Sequence, residues 1–168
     1  MLTALESEKS MQALVEQNRR LVEAQSTPLL MLDTSNLNDQ GKPAIGFTLS
    51  NVGTGPAQIA WFHLTDDQGK NYADGTLYDQ VQKMDPHASF MSQRITGSFL
   101  RSGDKRNVFE WPKPADGSPA LETWQRLNST RLKLHGRACY CSMFNECRVT
   151  EFGEKQPVTV ASCESAEK

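Results

Sequence analysis

Four cysteines are the residues of this sequence whose type and spacing could do chemistry. Three of them lie close together and the fourth is near the end of the chain: Cys139, Cys141, Cys147 and Cys163. Cysteines grouped in this way form disulfides, bind a soft metal ion such as zinc or copper, or carry out thiol redox chemistry. An even count also permits complete pairing.

The spacing predicts which cysteines pair, if the strand from Thr130 to Cys141 and a returning strand from Cys147 form a hairpin. Cys139 and Cys141 would lie on one face of the first strand, away from the core, where a bond between them would distort the strand. Cys141 and Cys147 would lie directly opposite each other. We therefore predict the pairs Cys141–Cys147 and Cys139–Cys163, which tie the C-terminal tail to this strand.

A metal site formed by Cys139, Cys141 and Cys147, with help from His135, is the alternative, and unpaired thiols are a third outcome. Two ligands at alternate positions of a flat strand cannot easily share a tetrahedral ion, which disfavours zinc. Redox catalysis is disfavoured because there is no Cys-x-x-Cys at the start of a helix, where thiol pKa values fall. We expect disulfides, with no metal and no cofactor. Disulfides in a bacterial protein would indicate the periplasm or the cell envelope.

A basic row shares the predicted strand face with the cysteines. In an extended strand, Arg131, Lys133, His135 and Arg137 would point to one side over about 20 Å and could hold an anionic ligand or partner. Rows of this kind are more often solvated, and here Glu151 would oppose the row across the hairpin.

The other reactive residues show no catalytic spacing. His63, His87 and His135 lie far apart in the sequence, and we expect each to be structural. The aspartates fall mainly in predicted turns, where Asp bonds its own backbone. The segment 53–55, Gly-Thr-Gly, precedes a strand and not a phosphate-binding helix, and no nucleophile elbow is present. We expect a protein that is not an enzyme.

An N-terminal helix precedes the segments that carry these residues. Residues 4–25 predict one amphipathic helix, and Asn18 takes a polar core position in its heptad pattern. The narrow apolar stripe consists of Met11, Leu14, Val15, Leu21 and Val22. Such a helix either docks on the domain or forms a stalk that pairs as a coiled coil, giving a homo-oligomer. Pro28 ends the helix, which divides the chain into a helical segment, 1–27, and a β domain, 28–168.

Alternating hydrophobicity and turn residues predict an immunoglobulin-like antiparallel β-sandwich with one short internal helix. The helix would follow Ser118 as N-cap, and a helical turn is also predicted near 77–81. Gly53 and Gly55 would flank a tight connection in which at least one takes a positive φ. The predicted strands are 29–33, 45–50, 57–64, 71–73, 89–100, 107–111, 130–141, 147–152 and 158–163.

Composition excludes several classes of function. The 168 residues, 38% of them hydrophobic, suffice for one core. The 18 basic and 20 acidic residues give a net charge of −2, without the positive excess that nucleic-acid binding requires. No apolar run reaches the roughly 18 to 20 residues that span a bilayer, and residues at the N-terminus lack the charged-then-apolar order of a secretory signal. The expected partner is an unknown protein.

Three segments carry a resemblance to known proteins: the helix end at 13–25, the turn at 51–57 and the cysteine segment at 137–147. The sequence resembles, over nearly its whole length, uncharacterised bacterial proteins with one N-terminal membrane span followed by a β-sandwich ectodomain. The resemblance implies a membrane tether, although the span is absent from these 168 residues, and it implies no activity. Together, these features predict a non-catalytic, envelope-exposed interaction module. The alternatives are a metal-binding or thiol-redox protein and a helix-paired subunit of a larger assembly.

Overall fold

The computed structural model describes residues 3–153 and 156–167. Residues 1–2, in the predicted helical segment, and residues 154–155 and 168, in the predicted β domain, lie outside the described residues. The helices are α1 (Ala4–Gln25), α2 (Thr76–Met84) and α3 (Leu121–Thr130). The strands are β1 (Leu30–Leu37), β2 (Pro43–Asn51), β3 (Ala57–Thr65), β4 (Met91–Ser92), β5 (Phe99–Leu100), β6 (Lys105–Pro112), β7 (His135–Cys141), β8 (Cys147–Glu151) and β9 (Val158–Val160).

The strands form two antiparallel sheets, so the prediction of a mostly β protein is confirmed. One sheet has the order β1-β2-β6-β4 and the other has the order β5-β3-β7-β8-β9. The main core contains side chains from both sheets, including Phe47 of β2, Phe62 of β3 and Phe109 of β6. Because both sheets contribute to one apolar cluster, they pack face to face as the two layers of a sandwich.

A β-bulge in β3 assigns its aromatic residues to different sides of the sheet. The register between β3 and β7 shifts between Ile59 and Trp61, and one extra residue in a strand moves the following side chains to the opposite face. Ile59 and Phe62 therefore lie in the core between the sheets. Trp61 belongs to a second, smaller cluster on the outer face.

The prediction of a single strand over 89–100 is wrong, because this segment contains two short strands. Its ends form β4, which pairs with β6, and β5, which pairs with β3 in the other sheet. Between them, the Asp74 carboxylate accepts hydrogen bonds from the backbone N–H groups of Ile95 (2.7 Å) and Thr96 (3.1 Å). The Thr96 hydroxyl donates another bond of 2.5 Å to the same carboxylate. These bonds hold the segment in a turn as it passes between the layers.

Three further element predictions need correction. The predicted strand 130–141 begins only at His135, because α3 runs to Thr130 and a 3₁₀ turn follows over Arg131–Lys133. The α3 helix itself begins at Leu121, later than predicted. Ser118 is not its N-cap but accepts a 3.2 Å hydrogen bond from Ala120 N–H in the turn before it. The described residues contain two internal helices, α2 and α3, where one short helix was predicted.

The predicted helix over 4–25 is present with these bounds. Thr3 caps its N-terminus through a capping box with Glu6, which satisfies backbone N–H groups that lack helical partners. At the other end, the Thr27 hydroxyl donates a 3.0 Å hydrogen bond to the Glu23 carbonyl. Pro28 follows, and β1 begins two residues later.

Candidate functional site

Four cysteines meet on the outer face of the five-stranded sheet, and all four are paired. Disulfides join Cys139 to Cys163 and Cys141 to Cys147, the pairing predicted from the strand geometry. Cys141 and Cys147 are direct cross-strand partners of β7 and β8, with Cα atoms 4.0 Å apart. Pairing of β9 with β8 brings the C-terminal segment beside them, so Cys163 reaches Cys139 on the neighbouring strand β7.

The cysteines lie in a second, smaller hydrophobic cluster, separate from the main core. They are outside the core between the sheets, as the alternation of β7 predicted, but Cys139 is fully buried and Cys163 nearly so. Trp61 and Val149 share this second cluster with them. The Trp61 indole N–H donates a 2.9 Å hydrogen bond to the Cys163 carbonyl. The C-terminal tail therefore covers part of the sheet face that was predicted to be exposed.

The two disulfides are in contact with each other. Cys141 Sγ lies 3.7 Å from Cys163 Sγ, although these atoms belong to different bridges. The Sγ atoms of Cys141, Cys147 and Cys163 all lie within 4.8 Å of one another. Cys141 is the partly exposed member of the group. This spacing allows exchange between the bridges, and a set of thiols at such distances could also bind a soft metal ion.

The predicted basic row is only partly formed. Arg131 and Lys133 lie in the 3₁₀ turn and do not belong to the strand face. His135 Nε2 lies 2.9 Å from Asp67 Oδ1, in an exposed pair. The Arg137 guanidinium lies 5.2 Å from the Trp61 ring centroid. Its Nε is 3.9 Å from Glu151 Oε1 across the hairpin, the opposition expected of a solvated face.

An open groove beside the disulfides was missed by sequence reasoning. It has a volume of about 370 Å³, and it forms where the tail residues after β9 pack near β8. Its walls combine valines with the Arg137–Glu151 pair; they are Arg137, Val149, Glu151, Gln156, Val158, Val160, Ser165 and Ala166. The alternation of valines at 158 and 160 was the available signal, but only the β8–β9 pairing places Val158 opposite Val149 and Val160 opposite Cys147.

A buried asparagine joins α1 to the β domain. Asn51, 1% exposed, accepts hydrogen bonds at Oδ1 from the N–H groups of Leu29 (3.2 Å) and Gly53 (3.0 Å). Its Nδ2 donates to the carbonyls of Gly55 (2.8 Å) and Leu100 (3.0 Å). One side chain thus links the helix–strand junction, the β2–β3 turn and β5, with its four hydrogen-bonding positions used.

The predicted positive φ at Gly53 or Gly55 is wrong, because neither is among the described glycines with positive φ. Glycine is needed at both positions because a larger residue would not fit there. A Cβ atom at Gly55 would clash with the backbone of Ser26, and one at Gly53 would clash with the backbone around Thr27. The turn packs so closely against the helix–strand junction that only glycine fits at these two positions.

The α1 helix does not bury its apolar stripe in this chain. Every stripe residue is about half exposed or more: Met11 66%, Leu14 63%, Val15 68%, Leu21 54% and Val22 49%. No residue of α1, all of which are described, is buried. The β domain therefore does not cover this stripe, and the pairing of α1 as a coiled coil stays a prediction.

Charged residues of α1 pair with one another away from the stripe. Arg19 lies 2.8 Å from Glu16 and 2.9 Å from Glu23, and Arg20 lies 3.2 Å from Glu16. In the heptad that contains Met11 and Leu14 as core positions, these residues take outer positions. Hydrogen bonds from Arg19 and Arg20 lower the pKa of Glu16 to about 2. One face of the helix is therefore charged and internally paired, and the other is apolar and open.

No protein-family model, curated protein or solved structure matches this chain. Among residues 3–153 and 156–167, no helix is both long and apolar enough to cross a membrane.

Proposed function

We propose that this protein is a non-catalytic interaction module of the bacterial cell envelope that binds a partner through α1. The observation that carries the proposal is the exposed apolar stripe on this helix. Isolated apolar residues on a surface are ordinary, but a row of them along one helix face is typical of a surface that another helix covers. The proposal includes an immunoglobulin-like sandwich, because consecutive strands such as β2 and β3 cross from one sheet to the other.

The junction between α1 and the sandwich supports this role. Thr54 N–H donates a 3.0 Å hydrogen bond to the Thr27 carbonyl, and Val52 N–H donates a 2.8 Å bond to the Leu29 carbonyl. With the bonds from Asn51, they anchor the chain directly after the helix. A helix that leaves a domain through such an anchored junction holds its contact surface in a defined direction.

The periplasm is the proposed compartment, and this assignment is based on the two disulfides. Disulfides persist in oxidising compartments and are rare in the reducing cytosol. A membrane tether upstream of α1, implied by the resemblance described above, would place the helix between the membrane and the sandwich. Acid trapping of living cells followed by alkylation tests the compartment: all four cysteines should resist the reagent until a reductant is added. Four alkylated thiols in trapped cells would contradict it.

Helix pairing between copies of this chain is the second candidate function. Asn18, on the open face between Leu14 and Leu21, has a polar side chain that can pair with its counterpart in a parallel coiled coil. The charges of Glu16, Arg19, Arg20 and Glu23 balance one another on the outer face and do not oppose association. In this case the interaction module is a homo-oligomeric subunit of a larger assembly.

Photo-crosslinking in cells tests both candidates. A benzoylphenylalanine residue in place of Leu14 should form a covalent adduct with a protein, whereas the same residue in place of Gln12, on the outer face, should form none. An adduct of twice the chain mass indicates self-pairing, and an adduct of another mass indicates a different protein. Equal crosslinking at both positions, or none at either, would contradict the proposed role of α1.

A metal-binding or thiol-redox function through Cys139, Cys141 and Cys147 remains the alternative of another class. Because these cysteines are bridged in the structure, metal binding would require their reduction first. Metal analysis of protein purified without chelator separates the two classes, since stoichiometric zinc or copper would favour the metal-binding alternative.

A further inference from the structure

The two disulfides differ in accessibility although they touch. The bridge from Cys141 to Cys147 contains the partly exposed Cys141, whereas Cys139 is fully buried beneath the tail. An external thiol must reach a sulfur atom to reduce a bridge. The outer bridge, Cys141–Cys147, is therefore the one that a reductant meets first.

Reduction of the outer bridge would leave a thiol already placed against the inner bridge. Cys141 Sγ lies 3.7 Å from Cys163 Sγ, and a disulfide bond requires about 2.05 Å. Side-chain rotation can supply the difference of less than 2 Å, since both residues lie on the outer face of one sheet. Thiolate attack on a disulfide sulfur at contact distance is the elementary step of disulfide exchange.

We propose that the cysteine cluster is a disulfide-exchange switch in which reduction of Cys141–Cys147 converts the inner bridge into Cys141–Cys163. A dithiol reductant transfers two electrons and two protons to the outer bridge and becomes a disulfide itself. Cys141 then loses its proton to water, and its thiolate attacks Cys163 Sγ. The Cys141–Cys163 bond forms as the Cys139–Cys163 bond breaks, and the electron pair leaves on Cys139, which takes a proton from water.

The surroundings favour this product. Cys139 is buried beside Trp61 and Val149, and a buried free thiol behaves as a small apolar side chain. Burial among apolar groups disfavours the thiolate form, so the Cys139 thiol should not readily reverse the exchange. The product keeps the C-terminal tail bridged to β7 but moves the link two residues along the strand and leaves Cys147 free.

Partial reduction of the native wild-type protein tests the switch. The protein is treated with less than one equivalent of a phosphine, quenched in acid, unfolded, alkylated with N-ethylmaleimide and digested without reduction. In molecules carrying two labels, we expect the labels on Cys139 and Cys147 and a peptide linking Cys141 to Cys163. Labels on Cys141 and Cys147 would show that no exchange occurs. Labels on Cys139 and Cys163 would show that the inner bridge is reduced first. Either result overturns the proposal.

A matched pair of variants tests the same step without a reductant. Cys147→Ser leaves Cys141 without its partner, and we expect Cys141–Cys163 to be the major linkage of the oxidised protein. Cys141→Ser is the control, because it removes the attacking sulfur, and it should retain Cys139–Cys163. If Cys147→Ser retains Cys139–Cys163 with Cys141 free, the proposal fails. The result does not depend on the interaction role of α1, because the linkage is read from the digest alone.

Discussion

Asn51 Nδ2 lies 2.8 Å from the main-chain oxygen of Gly55 and donates a hydrogen bond to it. This bond closes the β2–β3 turn from inside the protein, at a position where water cannot replace the donor. The same side chain holds the backbone of Leu29 directly after the helix junction. One buried amide thus helps to hold both the β2–β3 turn and the junction after α1.

Replacement of Asn51 by Ala should destabilise the protein by about 3 kcal/mol, because it removes the donor to two buried carbonyls and the acceptor for two partly buried N–H groups, and each buried group left without a partner costs roughly 1–3 kcal/mol. Asn38→Ala is the control. Asn38 also bonds two backbone N–H groups, of Gln40 and Lys42, but it is exposed, so water can replace it. Urea unfolding measures both. Equal losses of stability in the two variants would contradict the role given to Asn51.

Substitution of Gly55 by Ala should destabilise the protein by more than about 1 kcal/mol, because the new methyl group would clash with the backbone of Ser26, whereas Gly→Ala at a compatible position typically stabilises a protein by about 0.4–1 kcal/mol. Gly46→Ala is the matched control within β2. A Cβ atom at Gly46 would lie 4.0 Å from the nearest atom outside the adjoining residues, the Ser35 carbonyl oxygen. Thermal unfolding of the two variants compares them. A Gly55 variant as stable as the Gly46 variant would show that the turn relaxes away from the junction.

Removal of the inner disulfide should destabilise the protein more than removal of the outer one. The sequence separations are 24 residues for Cys139–Cys163 and 6 for Cys141–Cys147. Loop-closure entropy then predicts losses of about 3 kcal/mol and about 2 kcal/mol. Cavity formation at the buried Cys139 adds to the first loss. Denaturant unfolding of the two double-alanine variants provides the measurement, and the reverse order would argue against this account of the tail.

The Glu16 carboxylate should titrate near pH 2, because hydrogen bonds from Arg19 and Arg20 stabilise its charged form. Its pKa in the folded protein lies below the unfolded value, so any stabilisation of α1 by these pairs is fully present above about pH 4.5 and is lost as the pH falls toward 2. NMR titration of the Glu16 side chain measures the midpoint. Arg19→Gln should move it upward, and a wild-type midpoint near 4.5 would contradict the ion pairing.

Local chemistry in the sequence was sufficient for α1 and for the cysteine pairs. The α1 helix has a strict period and a proline beyond its end, and Cys141 and Cys147 flank a short hairpin, so neighbouring residues determine both features; Cys139–Cys163 followed from them because only these two cysteines were left to pair. The break in the predicted strand 89–100 could not be seen in this way, because its cause is Asp74, a residue distant in sequence. The prediction of the basic row was wrong for a related reason. Residues 131–137 alternate as a strand would, but the 3₁₀ turn after α3 takes Arg131 out of the strand.

Gly53 and Gly55 likewise depend on contacts with residues distant in sequence, which the sequence does not reveal. Their turn could be read from composition, but the reason for glycine lies in a contact with residues 26–27, which only the folded chain brings near. The groove beside Val149 was missed because it depends on the position of β9. The burial of Cys139 likewise follows from where the tail lies after the chain has folded.

The link from Cys139 to Cys163 also affects how proteases would act on this protein. Every peptide bond between these residues lies inside a covalent ring, so a single cut in the β7–β8 turn or in the connection to β9 cannot release a fragment. A nicked molecule would keep its full mass, apart from one added water, until a reductant opened the ring. A domain with this topology can be cut once in its C-terminal region and still retain both pieces.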